Sequence, residues 1–456
     1  MIIIIFERLL MKKLTIVLTA FSISLSSLAY ADDNNLFSLK NNCENNDVSA
    51  CVTLGLNYYE HLDQITAPQA AAAFEKACAL LDYQSCNVAA QMYLKGEFID
   101  ANNEKAATLF SKACRKDNKE ACLSLAKMRL DGLNDEFDMN RAIGIFRRSC
   151  DEGNGDSCVR CGSLYRFGEG VKSSYSQAQH YFSKACELDA YDGCAEIGLM
   201  YEEGTAGKKN FDKAYEYYLK ACDGNSATGC SLLGTLEKNG LGVSRNLKKS
   251  LMSFEKGCKL GNLKACSNVG YFYANGIGVK VDYEKAKTLF EESCGKDEVL
   301  GCSYLGEIYL KGWGVSADSI KAKSLFEKSC DLGDSVGCNM LADMYKSGEQ
   351  IKPDYLKAVD LFTRSCDNGN SSGCAQLGYM YEYGLGVQTD LQRALMLYSE
   401  SCSENAGLGC AKLGEHYLTG KGINRDREKA DALIKKSCSL GSSLGCEKYF
   451  KLRETR

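Results

Sequence analysis

The chain has 456 residues, a net charge of −4, 25 cysteines, 43 glycines and two prolines, Pro68 and Pro353. A mildly acidic, well-mixed sequence lacks the basic stripe of a nucleic-acid binder, so nucleic acid is excluded as an expected partner. So little proline suits a mostly helical chain, and the glycines recur at set places, which excludes a low-complexity tract.

In chain order the first signal is an export pattern. Lys12 and Lys13 precede an apolar run over 14–25, and Ala29-Tyr30-Ala31 stand ahead of Asp32 and Asp33. Basic start, short apolar core and small residues at the cut site make residues 1–31 read as a signal peptide. The pattern fits better from Met11 than from Met1, and the run is too short for a comfortable membrane span. The mature chain is expected to be soluble, without a membrane span, and periplasmic or secreted.

From Cys43 onward one phrase recurs: a cysteine, seven residues and another cysteine. The pairs are Cys43 and Cys51, Cys78 and Cys86, Cys114 and Cys122, Cys150 and Cys158, Cys186 and Cys194, Cys222 and Cys230, Cys258 and Cys266, Cys294 and Cys302, Cys330 and Cys338, Cys366 and Cys374, Cys402 and Cys410, Cys438 and Cys446. A fixed period near 36 residues is the signature of a solenoid. The period divides the chain into a half-repeat cap over 32–50, repeats over 51–445 and a C-terminal half-repeat over 446–456.

Each repeat holds two helical patterns. In the repeat opened by Cys302, the residues Cys302, Leu305, Gly306, Ile308 and Tyr309 fall at spacings of three and four, one apolar stripe on a helix. Gly312 and Gly314 then stop it. Ala322, Phe326 and Cys330, with Leu325 beside them, mark one face of a second helix. Other repeats keep a small residue at the fifth position (Gly198, Gly270, Gly378) and tyrosine at the eighth (Tyr93, Tyr273, Tyr417). Basic residues just ahead of the second-helix cysteine, such as Lys184, Lys256, Lys328, Arg364 and Lys436, are expected to favour the negative end of the helix dipole.

Regular cysteine pairs in an exported chain point to disulfides rather than metal. Zinc would need close ligand groups, and Cys158 with Cys161 is the one Cys-x2-Cys, with no second pair to complete it. The eight-residue step holds in all twelve pairs, whereas the step within a repeat is 27 from Cys51 to Cys78 and 28 afterwards. The invariant step is the expected covalent one, each bridge contributing roughly 2.5 kcal/mol in the chain-entropy model. Cys161 is left over, and reads as a buried small hydrophobe before a reactive thiol.

Chemistry is harder to find. Ser124 with Lys127 and Ser253 with Lys256 match the Ser-x-x-Lys element of serine β-lactamases, but Ser-Asp-Asn and Lys-Thr-Gly are missing. His61, His180 and His416 are scattered over the array. No catalytic residue and no cofactor is expected. With positions 1, 4, 5, 7 and 8 of the first helix buried, positions 2, 3, 6, 9 and 10 face outward. Phe167, Tyr271, Tyr304, Tyr379 and Tyr383 stand there as anchors for a bound chain, unless they pack on neighbouring helices. Trp313, in an inter-helix loop, is the weaker candidate.

Leu305-Gly306, Tyr309, Gly312, Gly314-Val315 and Lys321-Ala322 together resemble the Sel1-like repeat branch of the tetratricopeptide superfamily. The added Cys-x7-Cys is similar to the exported Helicobacter cysteine-rich family. Departures are local: His61 stands at a loop glycine, and Gly-Val is lost around Gly132 and Gly348. The resemblance implies an all-α, right-handed α/α superhelical solenoid of about eleven 36-residue repeats. It implies a concave face that binds proteins or peptides; the chain itself is expected to be a monomer. Some cysteine-rich members are described as penicillin-binding proteins with β-lactamase activity, which makes β-lactam binding or hydrolysis the alternative.

Overall fold

A computed structural model describes residues 33–133, 138–348 and 351–454; the signal-peptide reading of 1–31 lies outside them. These residues form 24 helices and no strand. The chain divides into two compact units, Met1–Gly193 and Cys194–Arg456. Inside each unit a helix packs mainly on the helices just before and after it in the chain, the arrangement of an all-α solenoid. No described helix is long and apolar enough to cross a membrane.

The hairpin of Val299–Lys311 and Ser319–Asp331 shows how the sequence dictates the unit. Glu298 caps the first helix by accepting from the backbone N–H of Leu300 and Gly301. Gly312 ends it at φ +69°, its N–H donating to Ile308 O, a conformation that side chains resist. Asp318 then caps the second helix through Lys321 N, and its own N–H donates to Tyr309 O at 2.9 Å, closing the loop. Between the helices Leu305, Ile308, Ala322 and Phe326 are buried, and a fully buried phenylalanine is worth about 1.5–3 kcal/mol. A Cβ on Gly306 would lie 2.7 Å from the Phe326 ring, so the fifth position must be small for the helices to meet.

The eighth-position tyrosine does more than fill a groove. Lys321, twelve residues on, donates to the Tyr309 hydroxyl at 2.6 Å and lies 4.0 Å from its ring centre. Lys105 holds Tyr93 in the same way, at 2.8 Å and 4.2 Å. Each such pair ties a first helix to its own second helix beside the loop.

The basic residues before the second-helix cysteine differ from expectation. Lys256, Lys328 and Lys436 do not serve their own helix ends: they donate to the carbonyls of Cys222, Cys294 and Cys402, at 2.6, 2.8 and 2.8 Å. Arg364 reaches Cys330 O at 3.1 Å. The long side chain crosses to the preceding repeat, where the last carbonyls of a helix are without intrahelical donors. The dipole being neutralised is therefore the neighbour's.

Eleven bridges join cysteines eight residues apart, with Cα–Cα distances of 4.3 to 4.8 Å. Cys186 and Cys194 are disulfide-bonded as well. Each of these eleven bridges spans the turn between one second helix and the next first helix. Cys161 is free and buried, packed with Ala126, Ala142 and Phe146. Burial pushes its thiol up to about 12, which makes it inert at neutral pH.

Peptide mapping without reductant should link Cys294 to Cys302 and Cys330 to Cys338, and a maleimide should label Cys161 only after unfolding. Replacing one bridge by Cys330→Ser with Cys338→Ser should cost about 2.5 kcal/mol, read as a lower thermal midpoint. Native labelling of Cys161, or a Cys302–Cys330 link, would contradict this arrangement.

Candidate functional site

The first helices of the second unit form a continuous row, and their contacts decide what the row can offer. Ninth-position side chains reach the third position of the next first helix: Lys346 donates to Gln376 Oε1 at 2.9 Å, and Lys412 Nζ lies 3.3 Å from Glu382 Oε2. The strip open to a ligand is consequently narrower than the sequence implies. At the second position Ser267, Ser303, Ala375 and Ala411 are buried, and at the third so are Asn268 and Lys412.

The candidate tyrosines gather in two pairs. Tyr271 and Tyr304 have ring centroids 5.2 Å apart, and Tyr304 also meets Phe290 at 5.3 Å. Tyr304 is half-buried against the hydrophobic core, so it serves packing at least as much as exposure. Tyr379 and Tyr383, one turn apart on Ser371–Tyr383, lie at 4.5 Å. Tyr383 is 50% exposed. Lys412 sits over both rings, at 5.1 and 4.9 Å, and donates to the Tyr383 hydroxyl at 3.1 Å. Phe167 is 65% exposed in the first unit, beneath the Arg166 guanidinium. Trp313 stacks on Tyr283 at 5.7 Å and 20°.

Behind Tyr383 lies a charge cluster that the sequence reading missed. The Glu382 carboxylate accepts from Tyr398 Oη at 2.8 Å, and meets Lys412 at 3.3 Å, His416 Nε2 at 3.4 Å and Lys421 at 3.5 Å. Glu382, Lys412 and His416 side chains are all under a tenth exposed. Burial pushes the Glu382 carboxyl up, but hydrogen bonds from His416 and Tyr398 and the Lys412 charge outweigh it and hold it well below the usual range. His416 Nδ1 lies 2.8 Å from Lys421 O, so both ring nitrogens face acceptors and the imidazolium satisfies both. The Glu382 contact, opposed by burial, accordingly raises the His416 pKa above its usual value.

A signal for this cluster was present in the sequence. The core phenylalanine of the second helix becomes tyrosine at Tyr218 and Tyr398, and in both repeats the residue sixteen before it is glutamate. Tyr218 donates to Glu202 at 2.7 Å as Tyr398 does to Glu382.

Of the two serine–lysine pairs, one has other occupations. Ser253 donates to Glu237 Oε2 at 2.7 Å, while Lys256 reaches Cys222 O. Ser124 is half-buried and Lys127 exposed on Lys119–Leu130. Among the described residues one group could in principle hold a metal, Cys366, Cys374 and Glu400. Its two sulfurs are joined in a bridge, which leaves no thiolate to ligate.

A family model described as Sel1 repeat matches ten stretches: 84–118, 119–154, 155–189, 192–226, 227–262, 263–297, 299–334, 335–370, 371–405 and 407–442. Among solved structures, a protective antigen of uropathogenic Escherichia coli with this repeat fold is 25% identical. It matches over 92% of this chain and 91% of its own, with a TM-score of 0.56. Cysteine-rich protein B of Helicobacter pylori is 35% identical over 28% of this chain and 92% of its own, at a TM-score of 0.25. A Sel1 repeat protein of Oxalobacter formigenes is 28% identical over 55% of this chain and all of its own, at a TM-score of 0.47. No curated protein matches.

Because the folded His416 pKa lies above the unfolded one, its contribution to stability is fully present below about pH 6.5. That contribution is lost as pH rises through the folded value. Thermal midpoints of the wild type relative to His416→Gln should therefore fall as pH is raised from 6 upward, and an NMR titration of His416 should give a pKa above the ordinary one. Separately, Tyr304→Ala should lower stability by about 1–3 kcal/mol, as expected for removing a half-buried ring from a core contact.

Proposed function

The chain belongs to the Sel1 repeat family, and on that premise we propose that it is an exported, disulfide-stapled scaffold that binds a protein or peptide on its first-helix face. Sel1 repeats are interaction modules, and the fold supplies a row of equivalent helix positions whose side chains vary from repeat to repeat. Regular disulfides support an oxidising compartment. The Lys12 to Ala31 pattern narrows this to the periplasm or the outside of the cell.

The observation that carries the reading is the Tyr379–Tyr383 pair. An exposed aromatic held from behind by a buried lysine is rigid before any partner arrives, so binding it costs little side-chain entropy. Its polar tip and apolar ring suit an extended chain crossing the face. A concave surface made by successive first helices would bring such a chain within reach of several repeats.

Tyr383→Ala should weaken capture of a partner from cell envelope or culture medium by about 1–2 kcal/mol and leave the melting temperature nearly unchanged. Leu356→Ala, on the second helix Tyr355–Asp367 and strongly exposed, should not affect capture. Loss with the second variant and not the first would move the binding face to the second helices.

A further inference from the structure

Further along the same face two opposite charges stand without an ion-pair partner among the described residues. Glu307, at the sixth position of Val299–Lys311, is half-buried, and its carboxylate has no hydrogen bond or ion pair among the described residues. Burial pushes its carboxyl up, and Lys311 one turn on only opposes this. Lys238, at the ninth position of Ala227–Asn239, is also half-buried. Its Nζ lies 3.5 Å from Asn268 Oδ1, with no carboxylate at ion-pair distance among the described residues. Burial and the neighbouring Lys264 lower its pKa.

Between these opposite charges sits the Tyr271–Tyr304 pair, on the two helices concerned, Leu263–Asn275 and Val299–Lys311. The order along three consecutive first helices is thus cation, aromatic pair, anion. A half-desolvated charge without a counter-charge destabilises the fold that carries it. Other repeats place uncharged residues there, Ala274 and Leu310 at the ninth position and Leu199 and Thr235 at the sixth, or pair the charge, as Asp343 with Lys346, Glu415 with Lys448 and Glu382 with Lys412.

We propose that this stretch of the face receives a polypeptide segment carrying an acidic residue opposite Lys238, a basic residue opposite Glu307 and an apolar side chain between them against Tyr271 and Tyr304. The proposal rests on the first-helix face being the binding face and names what that face selects. Packed helices lie about 8–10 Å apart, so two steps cover about 16–20 Å. An extended chain advances about 3.3–3.6 Å per residue, which puts the two charges of the segment about five residues apart.

Three capped hexapeptides with a common leucine at the centre test this on the mature chain by fluorescence anisotropy. One carries aspartate at one end and lysine at the other, one aspartate at both ends, one lysine at both. The mixed peptide should bind about ten-fold tighter than either uniform one, because a like-charge contact is penalised at one end. Lys238→Glu should transfer the preference to the lysine peptide, and Glu307→Lys to the aspartate peptide. Should a reversal unfold the protein, the near-isosteric Lys238→Met and Glu307→Gln serve instead, each abolishing discrimination at its own end. Equal binding of all three peptides, no binding of any, or a ranking indifferent to the variants would overturn the proposal. If the ranking fails while Tyr383→Ala still releases a natural partner, the binding-face reading survives without this selectivity. If neither responds, both fall.

Discussion

The structure depends on the turn between one second helix and the next first helix. A hairpin of two helices about 13 residues long buries only one face, and in a solenoid that face finds cover only on its neighbours. Unlike a globular core, the array has no central region where a mispacked repeat is corrected by many contacts. A bridge such as Cys330–Cys338, with Cα atoms 4.6 Å apart, fixes the turn covalently. Lys328 and its equivalents then reach across to the carbonyl of the cysteine one repeat back. Covalent link and capping cation act on the same helix end, so the junction, rather than the hairpin interior, is where sequence is most constrained.

That constraint frees the first-helix face. The apolar stripe, the loop cap and the Lys–Tyr clamp use the core side of each hairpin and its loop end. What remains is a narrow strip at the sixth, ninth and tenth positions, joined by the half-buried Tyr304 at a third position. Tyr383 is prepared in this way: Lys412 supports its hydroxyl, and Glu382 in turn holds Lys412. Rigid support on helices gives a binding surface more precision than loops would.

Much of the fold was legible because repetition multiplies the signal. One Cys-x7-Cys is weak, whereas twelve at a fixed period fix the helix pairs, their ends and the residues that face inward. Contacts between repeats were less legible. The second position read as exposed because a single helix shows it on the polar side, yet Ser303 and Ala375 are covered by the neighbouring repeat. Lys328 was assigned to its own helix end for the same reason: its acceptor lies 34 residues away, and periodicity within one repeat cannot show that. The Glu382 cluster is an intermediate case. Its members sit on three elements, but the paired change of Phe to Tyr398 with Glu382 sixteen residues earlier, repeated at Tyr218 and Glu202, encodes the contact.

A repeat protein also carries its own control, since each position is tried in several nearly equivalent surroundings. Where a departure from the common residue is compensated on the spot, it belongs to the architecture. The Glu382 side chain is buried at a position that holds alanine or leucine in several other repeats, such as Ala274 and Leu310, and Tyr398, Lys412 and His416 converge to neutralise it. Glu237 replaces the eighth-position tyrosine, and Ser253 supplies its hydrogen bond. Lys238 and Glu307 are departures of another kind. Each places a charge in a half-desolvated site with no ion-pair partner among the described residues, at positions where other repeats hold an uncharged residue, as at Ala274 and Thr235, or pair the charge, as Asp343 does with Lys346. Internal stability gives no reason to keep them, and a ligand that completes both does.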